Sequence, residues 1–352
     1  RSCTNCVVYG LKNFEELYLP RQLLVLTTLS NLIKKCRQKV IEDAIKAGWI
    51  DDEVRLCQEG TNASAYADAI STYLSLAVSQ YTRYYCTLCI WNKTNQNIAH
   101  AFGRQALPMT WDFPESNPFN GSLTIETACK WVASSIENLN FESESHTFQS
   151  DVVLVEKTGS GYIISTDPPY YNNVPYSILS DFFYIWLRKS LRDIFPNIFS
   201  TLLVPKEQEL VANHSRHGGV KESEEFFLSK MSKALLNISE ICNPEFPVVI
   251  YYAYKQSEST DSGTGSSGWE TFLTAVINAG FTITGTWPIN TEDTTRLRSQ
   301  KSNALASSIV LVCRKKTDDI PTGSRKQFIR ELKEILPDAL EDMIGGKEGA
   351  SP

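Results

Sequence analysis

The sequence predicts an α/β protein: an open sheet with flanking helices in the C-terminal half, preceded by a mainly helical region. Three observations predict it. Apolar residues recur at helical spacing up to about residue 140. From residue 146 onward, short apolar runs alternate with helical patterns, as a sheet wound with helices requires. Finally, Asp167-Pro168-Pro169-Tyr170 stands directly behind the apolar run 162–166. An acid, two prolines and an aromatic at the end of a strand make a rigid polar ledge at the edge where open α/β sheets bind ligands.

The elements follow in order. Helices are expected over 20–47, 62–91 and 123–139, with a Pro/Asn/Gly-rich link over 108–121. Strands are expected over 147–155 and 162–166, then helices over 180–195 and 222–241. A strand over 247–255 and a helix over 269–279 come next, and strands over 281–288 and 307–314 close the sheet. A charged amphipathic helix over 324–344 and a disordered end complete the chain. The division is thus a helical region over 1–140, an α/β catalytic region over 141–320 and a tail over 321–352.

Composition sets the bounds. With 352 residues, 42% of them hydrophobic, the chain can bury a large core and hold one big or two ordinary domains. No run approaches the roughly 18 apolar residues of a membrane span. A net charge of −6 means that a nucleic acid would be met by local basic patches rather than by an overall field. Nine cysteines in an enzyme-like sequence suggest reduced thiols in a cytoplasm.

The ledge carries the chemistry. An exact four-residue string is expected by chance roughly 0.002 times in a chain this long. A plain strand-stopping turn is the bland alternative. The residues fit methyl transfer to an exocyclic amine, whose lone pair is conjugated into a nucleobase ring. Accepting hydrogen bonds from both N–H groups turns that lone pair toward an incoming methyl. Asp167 supplies one acceptor and the Pro168 carbonyl a second. Pro168 and Pro169 restrict the backbone, so the acceptors need no ordering during reaction. Tyr170 offers a flat face for a base swung out of its stack.

The segment from Ser165 to Arg188 resembles the amino-methylase motif of prokaryotic adenine-specific DNA methylases that contain a zinc ribbon. Leu19-Pro-Arg-Gln-Leu-Leu24, Phe102-Gly-Arg-Gln-Ala-Leu-Pro-Met109, Gly268-Trp-Glu-Thr-Phe-Leu273 and the stretch from Asn303 to Cys313 are similar to the same family. The resemblance implies a Rossmann-like methyltransferase sheet whose last strand is inserted antiparallel. It also implies S-adenosyl-L-methionine as methyl donor, DNA as partner and adenine N6 as target. N4-cytosine or RNA methylation stays open, because the ledge orients an amine without naming the base. So does a non-catalytic DNA-binding or assembly role in a restriction or anti-phage system.

The resemblance also defines what to look for elsewhere. The family's Phe-x-Gly-x-Gly loop after its first strand has no counterpart here. The expectation is therefore that the chain is the C-terminal part of a longer protein, or works with a partner subunit that carries the loop. Gly263-Thr-Gly-Ser-Ser-Gly268 matches a dinucleotide fingerprint literally, but it lies in a Ser/Thr/Gly run after the catalytic strand and reads as a loop. Asp151 resembles the acid that touches the adenine of the donor, and is equally an ordinary turn residue. Pro20 resembles the start of a donor-facing helix, but reads first as an ordinary first-turn proline. Cys3 and Cys6 match half of a zinc ribbon, whereas Cys86 and Cys89 read as helical core residues. Arg216, Arg296, Arg298 and Lys301 are candidate DNA contacts in loops, and Tyr171, Tyr176 and Trp287 candidate walls of a base pocket; each alone is also an ordinary loop or core residue.

Overall fold

A computed structural model describes residues 4–103, 105–139, 145–154, 161–171, 174–252, 267–290, 307–316 and 323–345. Its helices and strands are mixed, as an α/β class requires. The N-terminal region contains α1 (Pro20–Lys46), α2 (Ala63–Thr82), a small antiparallel hairpin of β1 (Ile90–Asn92) and β2 (Asn97–Ala99), and α3 (Ile125–Glu137). There follow β3 (Ser165–Thr166), α4 (Tyr176–Leu191), the single turn α5 (His214–His217), α6 (Val220–Ile241) and β4 (Val248–Tyr252). The chain continues with α7 (Ser267–Asn278), β5 (Phe281–Asn290), β6 (Ser307–Lys315) and α8 (Arg325–Gly345). None of the described helices is long and apolar enough to cross a membrane.

The helical region is held by a close pairing of α1 with α2. Pro20 opens α1 at its first position, where a missing N–H costs nothing, and the Gln22 side chain reaches back to the Leu19 N–H (2.9 Å). Helix α2 buries mostly small residues, among them Ala63, Ala67, Ser71, Ser75 and Ala77. Its serines return their hydroxyls to the preceding turn, Ser71 to Ala67 and Ser75 to Ser71 (2.8 Å each), which satisfies both buried hydroxyls.

Helix α2 ends at Thr82, nine residues short of its expected end. The Ala101 N–H takes the Arg83 carbonyl (2.9 Å), and the Cys89 thiol shares it (3.4 Å). The chain therefore turns back into β1 and β2 instead of continuing helically. Cys86 and Cys89 lie in that turn rather than on a helix face, both buried, with their sulfurs 3.8 Å apart.

The sheet has the order β3-β4-β6-β5. Strand β3 is parallel to β4, and the last strand, β6, runs antiparallel between β4 and β5. This is the inserted antiparallel strand that the sequence leads one to expect. Along β4, Val248, Ile250 and Tyr252 are buried while Tyr251 is exposed, the period-2 alternation of a sheet with one packed face. That face packs with Phe227, Met231 and Leu235 of α6 and Phe272 and Val276 of α7. The expected strand over 147–155 does not form across 147–154. These residues are coil ending in a turn, pinned by the Asn237 side chain to the carbonyls of Val152 (3.0 Å) and Val153 (3.2 Å).

Helix α4 belongs by sequence to the α/β region but packs its apolar face elsewhere. Leu179, Phe182 and Trp186 lie in one core with Leu26, Tyr81 and Cys86 of the helical region. The Trp186 indole N–H donates to the Tyr18 hydroxyl (3.1 Å). The segment that follows the ledge thus ties the sheet to the helical layer.

Candidate functional site

The ledge begins where β3 leaves the sheet. Ser165 and Thr166 pair with Val249 and Ile250, and the Val249 N–H takes the Ile164 carbonyl (3.0 Å). Asp167 is the next residue. Pro168 and Pro169 have no N–H to continue a ladder, which accounts for so short a strand. Asp167 is exposed, and among the described residues its carboxylate makes no hydrogen bond or ion pair. Pro168, Pro169 and Tyr170 are half-buried. An open carboxylate at the C-terminal end of a parallel strand is where a ligand can reach it.

The aromatic end of the ledge is built against β4. The Tyr170 ring meets Tyr252 edge to face, with centroids 5.4 Å apart at 76°. Tyr252 stacks on Phe272 at 3.8 Å and 5°, and burial pushes its hydroxyl pKa up to about 12. Tyr171 is packed rather than pocket-facing: its ring abuts Phe227 (5.1 Å), and burial raises its pKa. Tyr176 and Trp287, also expected near a base, are exposed at the head of α4 and on β5.

Two acids fix the position of α4 behind the ledge. Its N-cap is Pro175, which offers no side-chain acceptor. Glu209, from the loop that follows α4, caps it instead. One carboxylate oxygen accepts from the Ser177 N–H (2.8 Å), and the other from the Ser177 hydroxyl (2.6 Å). Asp181 accepts from the Val204 N–H (2.9 Å) and pairs with the Lys206 ammonium (2.8 Å). Arg216 joins this strap, donating to Glu209 (3.0 Å) and to the Lys206 carbonyl (2.6 Å). Arg216, expected as a DNA contact, is thus engaged within the protein, its side chain only 16% exposed. Arg296, Arg298 and Lys301 lie outside the described residues.

The expected cofactor contacts fare differently from the ledge. Asp151 does not end a strand. Its carboxylate accepts from the Val153 N–H (2.9 Å) and its carbonyl from the Leu154 N–H (2.8 Å), an Asx turn that occupies it locally. Pro20 is the exposed first residue of α1. Cys6 is buried in the helical core, and burial raises its thiol pKa, which disfavours the thiolate a metal needs. Cys3 lies outside the described residues. Among those described, no group of three or more His, Cys, Asp or Glu side chains is placed to hold a metal.

Sequence reasoning missed Tyr252, Glu209 and Asp181. Tyr252 had a signal, because a parallel neighbour of the 162–166 strand must bring its last residue beside the ledge. The two acids had none, since the backbone N–H groups they hold lie 23 and 32 residues away. Compared with known proteins, the chain matches no family model, no curated protein and no solved structure.

Proposed function

We propose that the chain carries the amine-orienting ledge of an S-adenosyl-L-methionine-dependent DNA methyltransferase, acting on adenine N6 of a base swung out of the helix. The observation that carries this reading is the exposed carboxylate of Asp167, without a partner among the described residues, at the C-terminal end of β3 and followed by two prolines and Tyr170. The strand order, with β6 inserted antiparallel, supports a Rossmann-like methyltransferase sheet of which these four strands form the closing half.

In this reading the donor supplies an electrophilic methyl group when bound. Asp167 accepts one N–H of the target amine and the Pro168 carbonyl the other. That withdraws the nitrogen lone pair from ring conjugation and aims it along the line of transfer. Tyr170 stacks on the ring and holds its plane. The proton is lost from an ammonium-like nitrogen that is already acidic, so no strongly shifted base is required. The strap of Glu209, Asp181, Lys206 and Arg216 fixes the start of α4 behind the ledge.

The test is Asp167→Ala in the full-length protein, incubated with the methyl donor and unmethylated duplex DNA. Product nucleosides are then separated and weighed. N6-methyladenine from wild type and none from the variant is the expected result. Undiminished product from the variant removes the assignment, and N4-methylcytosine changes the base.

A further inference from the structure

The tyrosine that follows the ledge is held far more tightly than a loop residue needs to be. Tyr171 follows Tyr170 directly, and its N–H, its carbonyl and its ring are all engaged. Its N–H donates to the Tyr252 hydroxyl (3.0 Å), and its carbonyl accepts from the Ala212 N–H (2.7 Å). Its ring packs edge to face on Phe227 of α6. On another side stands Gly268 in the first turn of α7. A methyl group added there would lie 2.9 Å from Tyr171 Cδ1 and 3.1 Å from Cγ, closer than carbon atoms pack. The glycine is therefore required by the approach of α7 to the ring. This gives Gly268, which completes the glycine-rich string, a role other than phosphate binding.

Tyr252 links the two tyrosines. The same side chain takes the Tyr171 N–H on its hydroxyl and the edge-to-face contact with Tyr170. It is itself immobilised by its stack on Phe272 and is 1% exposed. A chain leaving a two-residue strand has little ladder of its own to hold it, so these contacts supply the rigidity that the sheet does not.

We infer that Tyr252, Tyr171 and Gly268 form a clamp that sets the height and tilt of the Tyr170 ring, making all three positioning residues for the base that stacks there. This rests on the methyltransferase reading for its substrate, but the clamp itself is a physical claim about the ledge. A flipped base must present its amine in line with the methyl group, and a misplacement of about 1 Å costs on the order of 100-fold in rate.

The experiment uses the full-length protein with two variants. Tyr252→Phe keeps the ring stack and removes only the hydroxyl, while Gly268→Ala pushes the Tyr171 ring. Amide hydrogen exchange at Tyr171, thermal stability, and kcat and KM for tritiated methyl donor at saturating unmethylated duplex DNA are measured for each. Tyr252→Phe is expected to speed exchange at the Tyr171 amide while neighbouring α7 amides keep their protection. Both variants are expected to lower kcat about 10- to 100-fold with KM for the methyl donor unchanged. Unchanged exchange at Tyr171 in Tyr252→Phe, or an unchanged kcat in both variants of an active enzyme, overturns the clamp. Failure of the function itself is distinguishable. If wild type transfers no methyl group, or Asp167→Ala transfers as much, the substrate reading falls, and the exchange measurement alone decides the clamp.

Discussion

The helical layer and the sheet edge treat a carboxylate in opposite ways. Asp68, on α2, is fully buried and receives four donors: Arg37 Nε (2.6 Å), Arg55 Nε (2.7 Å) and Nη2 (3.1 Å), and the Leu56 N–H (3.1 Å). Asp167 is exposed, and among the described residues it receives none. The first is satisfied internally and so is invisible to a ligand. The second retains its full accepting capacity for something that arrives. On the proposed reading, an acid left unmet on a backbone stiffened by two prolines is open to a ligand; one met on all sides is a structural bolt.

The comparison can be broken most directly at Asp167. Replacing it with Ala is expected to cost on the order of 10²- to 10³-fold or more in methyl transfer, while the urea midpoint stays within the ordinary range of about 0.5 kcal/mol for an exposed site. A large loss of stability would show that Asp167 is a bolt as well. Asp68→Ala should do the reverse. It leaves two half-buried guanidinium groups and a backbone N–H without their acceptor, and a loss of about 3 kcal/mol is expected by urea denaturation. Donor-dependent activity of the folded fraction should be retained.

A smaller effect, set by pH, sharpens the same contrast. Burial acts to raise the Asp68 pKa, but hydrogen bonds from Arg55 and Arg37 outweigh it and hold the carboxyl below its usual value. The stability that Asp68 contributes is therefore fully present above the unfolded value of about 3.9, and is lost as pH falls below that value through the folded one. The gap between wild type and Asp68→Asn in urea should accordingly begin to narrow as pH falls below about 4 and close only below the lowered folded value; a gap that does not narrow with falling pH would contradict the ion-pair account. Smallest is Glu209→Gln. It keeps an acceptor for the Ser177 N–H but removes the charge facing Arg216, so about 1 kcal/mol is expected from thermal melts.

Much of the fold was legible because its signals are periodic. The apolar spacing over 20–47 marked α1, and the runs 247–255 and 281–288 marked the strands that became β4 and β5. What escaped was decided by partners distant in sequence. The over-long α2 is cut by Ala101, eighteen residues past the Arg83 carbonyl it captures. Helix α4 starts at Tyr176 rather than near 180, because Glu209 caps a segment whose own N-cap is a proline. The expected strand through Asp151 fails for a local reason that was present in the sequence. Aspartate two residues before Val153 closes its own turn, and this competes with extended pairing.

The ledge itself was legible to the residue, since acid, prolines and aromatic are adjacent. Its support was not. Tyr252 lies 81 residues from the N–H it receives, and Gly268 had presented itself as part of a nucleotide fingerprint. The sequence shows which atoms can do chemistry when they are neighbours in the chain. It hides what holds them when the holder arrives from another strand.

The placement of β6 bears on how such a molecule is made. The central partner of both β4 and β5 is the last of the three to be synthesised. While residues 307–315 are still inside the ribosome, both earlier strands expose unpaired edges, the condition under which nascent sheets aggregate. A stalled or clipped product ending before residue 307 would therefore lose two strand pairings at once, and with them the rigid backing of Tyr252. Quality control that senses open sheet edges would thus also remove chains unable to present the ledge.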